Sequence, residues 1–308
     1  WLNPLRVLSL LKNRGDSITL PMRYPALKSL TLLSFAFSVL AITNPARSAE
    51  PSPVGSVKGS AWVHTPQSLQ AAVAQASTVI PARATGEVRY TGALSQAPSA
   101  EGQRVPVVLF LHGSSGLGLK AIGEWQQWLA ELGIASVASN SFALPDRVTY
   151  TSPIAKEDYE RIHALRLSEI APTLAAIRLQ PWADSSRVIL AGTSEGAVAA
   201  ARHAGDGFVA RMIFSWSCEA NYFVKEPMNA FGANEPVLNI ISLTDPYFSR
   251  ANAWLGNDEA KGNCGQALKA NPQASVVLIP DAPHTLLNMP GARDATRGFL
   301  DRVIGASR

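Results

Sequence analysis

The stretch Arg187-Val-Ile-Leu-Ala-Gly-Thr-Ser-Glu-Gly-Ala197 decides the fold of this 308-residue chain. Its apolar first half predicts a buried strand, and the small residues after the turn predict a helix that begins at once. Between them, Gly192 to Gly196 has the spacing G-x-S-x-G. A serine on so sharp a turn needs tiny neighbours, because the helix must pack directly against the strand. The turn therefore marks Ser194 as a candidate nucleophile beside the positive end of a helix.

The alternation of strand and helix patterns extends over residues 104–308 and predicts one α/β domain with a mostly parallel central sheet and helices on both faces. Residues 50–103 are predicted as an N-terminal lead-in with a helix at Pro66–Ala76 and a strand at Glu87–Leu94. Pro172 should kink or split the second helix of the domain. The predicted strands are Val105–Leu111, Ile134–Ser139, Arg187–Ala191, Ala210–Ser215, Val237–Ser242 and Ser275–Ile279. The predicted helices are Leu119–Leu132, Lys156–Leu179, Glu195–Ala204 and Ala295–Ile304.

A serine hydroxyl is a poor nucleophile until a base takes its proton, and the expected base is one of the five histidines. His284 follows the last predicted strand. Parallel strands present their carboxyl ends on one side of a sheet, so His284 should lie at the edge where the Ser194 turn opens. The other histidines lie before the sheet, on helices or at the end of the first long strand. His284 is the predicted base.

An orienting carboxylate should lie at the same edge. Asp245 follows the strand Val237–Ser242, and Pro246 favours an extended conformation for it. The order Ser194, Asp245, His284 is then the one expected of a nucleophile elbow with its triad. Asp281 is a rival, but its position three residues before His284 indicates a role in the turn.

Acyl transfer also needs N–H donors for the developing oxyanion. One is the backbone N–H of Glu195, directly after the nucleophile. The second should come from the loop after the first long strand, which reads His112-Gly-Ser-Ser-Gly116. Small residues there let the backbone approach a substrate, and Ser114 is the predicted donor, with Ser115 as the alternative.

At these residues the chain resembles the α/β-hydrolases, and residues 104–308 look most like the dienelactone hydrolase branch. The resemblance rests on Val107-Val-Leu-Phe-Leu-His-Gly113, Asn140-Ser-Phe-Ala143, the Ser194 turn, Thr244-Asp245 and Pro283-His284. It implies an eight-stranded, mostly parallel sheet, a Ser-Asp-His triad and no cofactor. Two departures favour a serine esterase over action on dienelactones. Ser194 stands where that branch has a cysteine, and Ala197 stands where it usually has a second glycine.

Positive charge is concentrated in residues 1–49, which hold six of the 27 cations and one of the 23 anions. The rest of the chain is close to neutral, which argues against a nucleic-acid partner. Residues 22–49 have the order of a secretory signal peptide, with a cut expected near Ser48 or Ala49. The apolar run Leu30–Thr43 is 14 residues long, whereas a membrane anchor needs about 20. The expected product is periplasmic or secreted, without a stable membrane anchor.

Met22 is the expected initiator, with residues 1–21 as an upstream extension. The alternative is that the signal peptide begins with an unusually long, positively charged region. Cys218 and Cys264 are the two cysteines of the chain. In an exported protein such a pair predicts a disulfide. The sequence has no CxxC, HExxH or similar ligand spacing, so no metal site is expected, and the resemblance to the α/β-hydrolases implies no cofactor.

The sequence thus predicts an exported serine hydrolase that cleaves small-molecule carboxylic esters or lactones through an acyl-enzyme. Two alternative functions remain, and a membrane-tethered protein with an uncleaved leader is a third possibility. Peptidases and amidases use the same triad. They differ from esterases in the leaving group, which the sequence does not indicate. A non-catalytic binding protein can use the same scaffold. Loss of Ser194, Asp245 or His284 would have marked that case, and all three are present.

Overall fold

The computed structural model describes residues 54–86, 88–99 and 102–305, so the predicted leader lies outside the described residues. Within the described ranges no helix is long and apolar enough to cross a bilayer. The strands are β1 Ser56–Lys58, β2 Ser77–Ile80, β3 Tyr90–Ala93, β4 Val105–Leu111, β5 Ala135–Ala138, β6 Thr149–Thr151, β7 Ala183–Thr193, β8 Ala210–Phe214, β9 Val237–Ser242 and β10 Ala274–Ile279. The helices are α1 Pro66–Ala74, α2 Ala82–Thr85, α3 Lys120–Glu131, α4 Lys156–Ser168, α5 Ile170–Arg178, α6 Glu195–Arg202, α7 Gly265–Leu268 and α8 Pro290–Ile304.

A central sheet contains eight strands in the order β10-β9-β8-β7-β4-β5-β2-β3. Strand β2 is antiparallel to both of its neighbours, and the pairs from β10 to β5 are parallel. The carboxyl ends of β4, β7, β9 and β10 therefore meet at one edge of the sheet. The loops that carry the predicted site residues start there.

Both faces of the sheet are buried, because successive side chains of the central strands alternate between two cores. In β4, Val107 and Leu109 contribute to one core, whereas Val108 and Phe110 contribute to the other. Helices α4, α5 and α6 cover the first core, and α3 and α8 cover the second. Near-continuous apolar strands are the expected consequence of burial on two sides.

Pro172 acts as predicted on the second long helix. The helix ends at Ser168 and a new one begins at Ile170. A proline ring clashes with the carbonyl four residues earlier, which here belongs to Ser168. The break falls at that carbonyl and places Glu169 at the junction of α4 and α5.

The division of the chain at residue 104 needs correction. Strands β2 and β3 lie in the predicted lead-in, yet both belong to the central sheet. Strand β1 pairs with β6 in a separate two-stranded ribbon. The reason is physical, since the edge of the sheet at β5 would otherwise present unpaired backbone groups to solvent. Strands β2 and β3 therefore complete the central sheet of the α/β domain.

Candidate active site

Ser194 lies at the turn between β7 and α6 with φ 53° and ψ −121°. A positive φ is costly for a residue with a side chain and persists only where the surroundings impose it. Here the Ser194 N–H donates to the Phe214 carbonyl at 3.0 Å, and the Ser194 carbonyl accepts from the Ala197 N–H at 2.9 Å. The neighbouring strand and the first turn of α6 thus hold the serine in this conformation.

His284 and Asp245 form a hydrogen-bonded pair at the same edge. In the tautomer that donates from Nδ1, His284 reaches Asp245 Oδ2 at 2.7 Å and keeps Nε2 for another proton. Asp245 is fully buried, and its Oδ1 accepts from the N–H groups of Tyr247 and Phe248 at 2.9 and 3.0 Å. The Ser215 hydroxyl donates to the His284 carbonyl. Both members of the pair are therefore fixed in orientation.

The two predicted amide donors lie beside the nucleophile. The N–H groups of Glu195 and Ser114 donate no hydrogen bond to another described residue. Gly113 brings the loop after β4 against the turn, since a Cβ on Gly113 would lie 3.3 Å from the Ser194 Cβ. Ser115, the alternative donor, belongs to the same loop. Such unpaired amides next to a nucleophile can stabilise a developing oxyanion.

A cavity of about 320 Å³ opens at this edge, and both Ser194 and His284 line it. Its walls are mainly aromatic and hydroxylic. The Ser194 hydroxyl makes no hydrogen bond to His284 in the described part of the chain. The cavity is lined by Gly113, Ser114, Ser115, Leu119, Tyr150, Thr151, Ser152, Thr193, Ser194, Tyr222, Phe223, Tyr247, Phe248, His284 and Thr285.

A set of buried charges adjoins the nucleophile turn, and sequence reasoning missed it. We call Arg147, Arg166, Glu169 and Glu195 the buried ion cluster. Glu195 Oε1 accepts from Arg147 Nη2 at 2.7 Å and from Arg166 Nη1 at 3.0 Å. Arg166 Nε donates to Glu169 Oε2 at 3.2 Å. Each of the four side chains is at most 5% exposed, and the two positive and two negative charges balance.

The cluster keeps its carboxylates ionised. Burial opposes the charge on Glu195, yet Arg147 and Arg166 outweigh it and hold the pKa of this carboxyl below its usual value. Burial likewise opposes the charge on Glu169, but Arg166 and a hydrogen bond from His64 lower its pKa to about 2. Burial, aided by the Arg166 charge, lowers the pKa of His112 to about 3. His112 is therefore neutral at physiological pH.

The predicted disulfide is present between Cys218 and Cys264, whose Cα atoms are 4.8 Å apart. It joins the loop after β8 to the segment before α7. The side chain of Asn239 in β9 also binds both of these segments. Its Oδ1 accepts from the Cys264 N–H at 3.0 Å, and its Nδ2 donates to the Trp216 carbonyl at 3.0 Å. The bridge and the amide together fix the loops on either side of β9, the strand that precedes Asp245.

The other candidates lie elsewhere. Asp281, the rival acid, has φ 50° in the turn after β10 and makes no hydrogen bond to His284 among the described contacts. His64 binds Glu169 at 3.2 Å, and His163 is buried in α4. In the described ranges, no group of three or more His, Cys, Asp or Glu side chains is arranged to hold a metal ion.

Comparison with known proteins finds structural relatives only. No protein-family profile matches the chain, and no curated protein matches it. Est1E from Butyrivibrio proteoclasticus is 14% identical, the match covers 67% of this chain and 90% of that chain, and the TM-score is 0.44. A dienelactone hydrolase from Anabaena variabilis is 18% identical, with 75% and 98% covered and a TM-score of 0.44. The strand order and the Ser194 turn of this chain themselves define an α/β-hydrolase fold.

Proposed function

We propose that the protein is a serine hydrolase that cleaves carboxylic esters or lactones. One observation carries this proposal: a serine held at positive φ shares a cavity with a histidine that is hydrogen-bonded to a buried aspartate. A serine used only for structure gains nothing from a strained turn that exposes its hydroxyl to a cavity. The chemistry that needs this combination is nucleophilic acyl transfer.

In the proposed reaction Ser194 attacks the carbonyl carbon while His284 Nε2 takes the hydroxyl proton. Asp245 orients the imidazole and stabilises its charged form. The N–H groups of Glu195 and Ser114 bind the oxygen that becomes negative. His284 then protonates the leaving alcohol, and water resolves the acyl-enzyme by the same steps. The Ser194–His284 contact forms when substrate orders the site, as catalytic hydrogen bonds often do.

The lining of the cavity favours uncharged substrates. None of the described residues that line it is Lys, Arg, Asp or Glu, so a charged substrate group would lose its hydration without gaining a partner. Five aromatic side chains supply apolar contact instead: Tyr150, Tyr222, Phe223, Tyr247 and Phe248. A volume of about 320 Å³ lies near the lower end for small-molecule sites, which suits short acyl groups.

Charge discrimination has a direct test. Phenyl pentanoate and the monophenyl ester of succinic acid share a leaving group, and in the acyl group of the second a carboxylate replaces the terminal ethyl group of the first. We expect kcat/KM to be at least about 100-fold higher for the neutral ester, because an unpaired carboxylate costs several kcal/mol on burial. Equal values for the two esters would contradict a neutral cavity.

Two observations favour function outside the cytoplasm. The cysteines are joined in a disulfide, and disulfides persist in oxidising compartments. The signal peptide predicted at residues 22–49 would direct export from the cytoplasm. We therefore propose a periplasmic or secreted enzyme. Sequencing the N-terminus of the exported protein tests this, with a start near Glu50 expected and an uncleaved leader contradicting it.

The nucleophile is tested by hydrolysis of a series of p-nitrophenyl esters, from short to long acyl chains, by the wild type and Ser194→Ala. We expect turnover of short esters to fall by at least about 1,000-fold in the variant, with an unchanged melting temperature. Equal background rates in both proteins would contradict the esterase. Anilide substrates run in parallel identify an amidase, and tight binding of esters without turnover identifies a binding protein.

A further inference from the structure

Arg166 joins the two segments that carry the proposed oxyanion donors. Its Nη1 donates to the His112 carbonyl at 2.7 Å and to Glu195 Oε1 at 3.0 Å. His112 stands two residues before Ser114, and Glu195 is the residue whose own N–H faces the oxyanion in the proposed mechanism. One guanidinium nitrogen therefore connects the loop after β4 to the first residue of α6.

Arg147 begins a second series of hydrogen bonds that connects the same two segments. Its Nη2 donates to Glu195 Oε1 at 2.7 Å, and its Nε donates to the Ser141 hydroxyl at 2.8 Å. The Ser141 N–H donates to His112 Nε2 at 3.3 Å, and the His112 Nδ1–H donates to the Gly113 carbonyl at 2.7 Å. The neutral state of His112 suits this series, because one ring nitrogen accepts while the other donates.

We propose that Arg166, supported by Arg147, is a positioning residue that holds the Glu195 and Ser114 amides at the separation an oxyanion requires. Donors for an oxyanion act through preorganisation and lose much of their effect when they shift by a fraction of an ångström. The cluster fixes both amides through charged side chains that touch no substrate. This inference rests on the serine-hydrolase function proposed above.

Stability alone does not explain the cluster. Burial of four charges carries a desolvation cost that often equals the attraction between them, so apolar side chains of similar volume would stabilise the fold as well. An apolar pair, however, could not bond to a backbone carbonyl on one segment and to a carboxylate on the other. Arg166 Nη1 does both, while Nε of the same guanidinium binds Glu169.

Arg211, in strand β8, offers a matched control because it also contacts helix α6. It is a buried arginine that donates from Nε to Glu235 at 2.6 Å and from Nη1 to the Ala200 carbonyl at 3.0 Å. Ala200 belongs to the last turns of α6, whereas Glu195 begins that helix. Replacing either arginine with lysine keeps the charge and removes the forked guanidinium. Only Arg166→Lys should disturb the oxyanion site.

The experiment compares hydrolysis of phenyl acetate with that of its thiono analogue, in which sulfur replaces the carbonyl oxygen. Amide donors arranged for oxygen favour the oxo ester, so the ratio of the two rates reports the oxyanion site rather than overall folding. Wild type, Arg166→Lys, Arg211→Lys and Glu195→Gln are measured for kcat, KM and melting temperature. Glu195→Gln keeps an acceptor of the same shape and provides a second variant if Arg166→Lys does not fold.

We expect Arg166→Lys and Glu195→Gln to lower kcat for the oxo ester by about 10- to 100-fold, with KM changed by less than about threefold. The oxo-to-thiono ratio should fall in both variants and stay within about twofold of wild type in Arg211→Lys. If the ratio is unchanged in the folded cluster variants, the cluster is structural and the inference is wrong. An inactive wild type would instead overturn the proposed function.

Discussion

At the scale of single residues, glycine is required at positions 192 and 196 by the backbone around them. A Cβ on Gly192 would collide with the Gly196 carbonyl, and a Cβ on Gly196 would collide with the Leu111 carbonyl. Neither obstacle can move cheaply, because each belongs to the backbone of a buried element. The two outer positions of the G-x-S-x-G spacing thus follow from close packing of α6 against β7 and β4.

Gly196→Ala should therefore lower both stability and activity. We expect a loss of about 1–3 kcal/mol in the free energy of unfolding, since a methyl group is forced into filled space. Urea unfolding and ester hydrolysis measure the two effects. Gly298→Ala in α8 is the control, because no described atom beyond its chain neighbours and the adjacent helix backbone lies within 4 Å of its added Cβ. That variant should gain about 0.5–1 kcal/mol from helix propensity. Equal effects at both positions would contradict the packing argument.

The sequence singled out the three residues of the proposed triad because each follows a strand that the sequence makes obvious. Ser194, Asp245 and His284 each follow the end of an apolar strand by a few residues at most, and the rule for parallel sheets brings those ends together. No comparable sequence pattern singles out Arg147 or Arg166. Arg166 and Glu169 are a recognisable i, i+3 pair on a helix, but nothing in their spacing shows that Glu195 lies between two guanidinium groups.

At the scale of elements, the loops around β9 are held by one covalent bond and one amide. The disulfide spans 46 residues from Cys218 to Cys264, and this span contains Asp245. Asn239, in the middle of β9, binds backbone groups on both sides of the bridge. The aspartate of the proposed triad therefore lies on a segment whose two ends are tied together.

Replacing both cysteines, as Cys218→Ser with Cys264→Ser, should destabilise the domain strongly. Closure of a loop of this length constrains the unfolded chain by about 4 kcal/mol in the chain-entropy model. Urea unfolding of the double variant and of oxidised wild type measures the difference. Wild type with a reductant should match the double variant, which separates loss of the bond from loss of the sulfur atoms. A change below about 1 kcal/mol would contradict a stabilising role.

The sequence predicted the elements of the central sheet better than its edge. Strands Val105–Leu111 and Val237–Ser242 have the predicted bounds, because buried parallel strands read as unbroken apolar runs. Ser77–Ile80 was missed as a strand. It has only four residues, with two hydroxyl side chains, and its pairing with β3 and β5 is a long-range contact that no local pattern reports. The lead-in was separated from the domain for the same reason.

At the scale of the whole molecule, titratable groups buried in the fold set its response to acid. His112 is fully buried and its pKa falls from 6.5 to about 3, mainly through burial and then through Arg166. Burial also lowers the pKa of His163. Glu169, in contact with Arg166, has its pKa lowered from 4.5 to about 2. As pH falls, each of these groups therefore takes up a proton in the unfolded chain before it does so in the folded chain.

Stability should therefore decrease steadily as pH falls below neutrality. Between about pH 6.5 and 4.5 the unfolded state gains protons at His112 and His163, so the free energy of unfolding should fall by at least about 1 kcal/mol per pH unit. Below pH 4.5 Glu169 adds a loss of the same sign until about pH 2. Urea unfolding at intervals from pH 7.5 to 4.5 measures the slope, and His112→Asn, which removes the titrating ring, should make it shallower. A constant free energy of unfolding from pH 7 to 5 would show that the folded and unfolded chains bind the same number of protons over this range, and it would contradict the lowered pKa values of the two buried histidines.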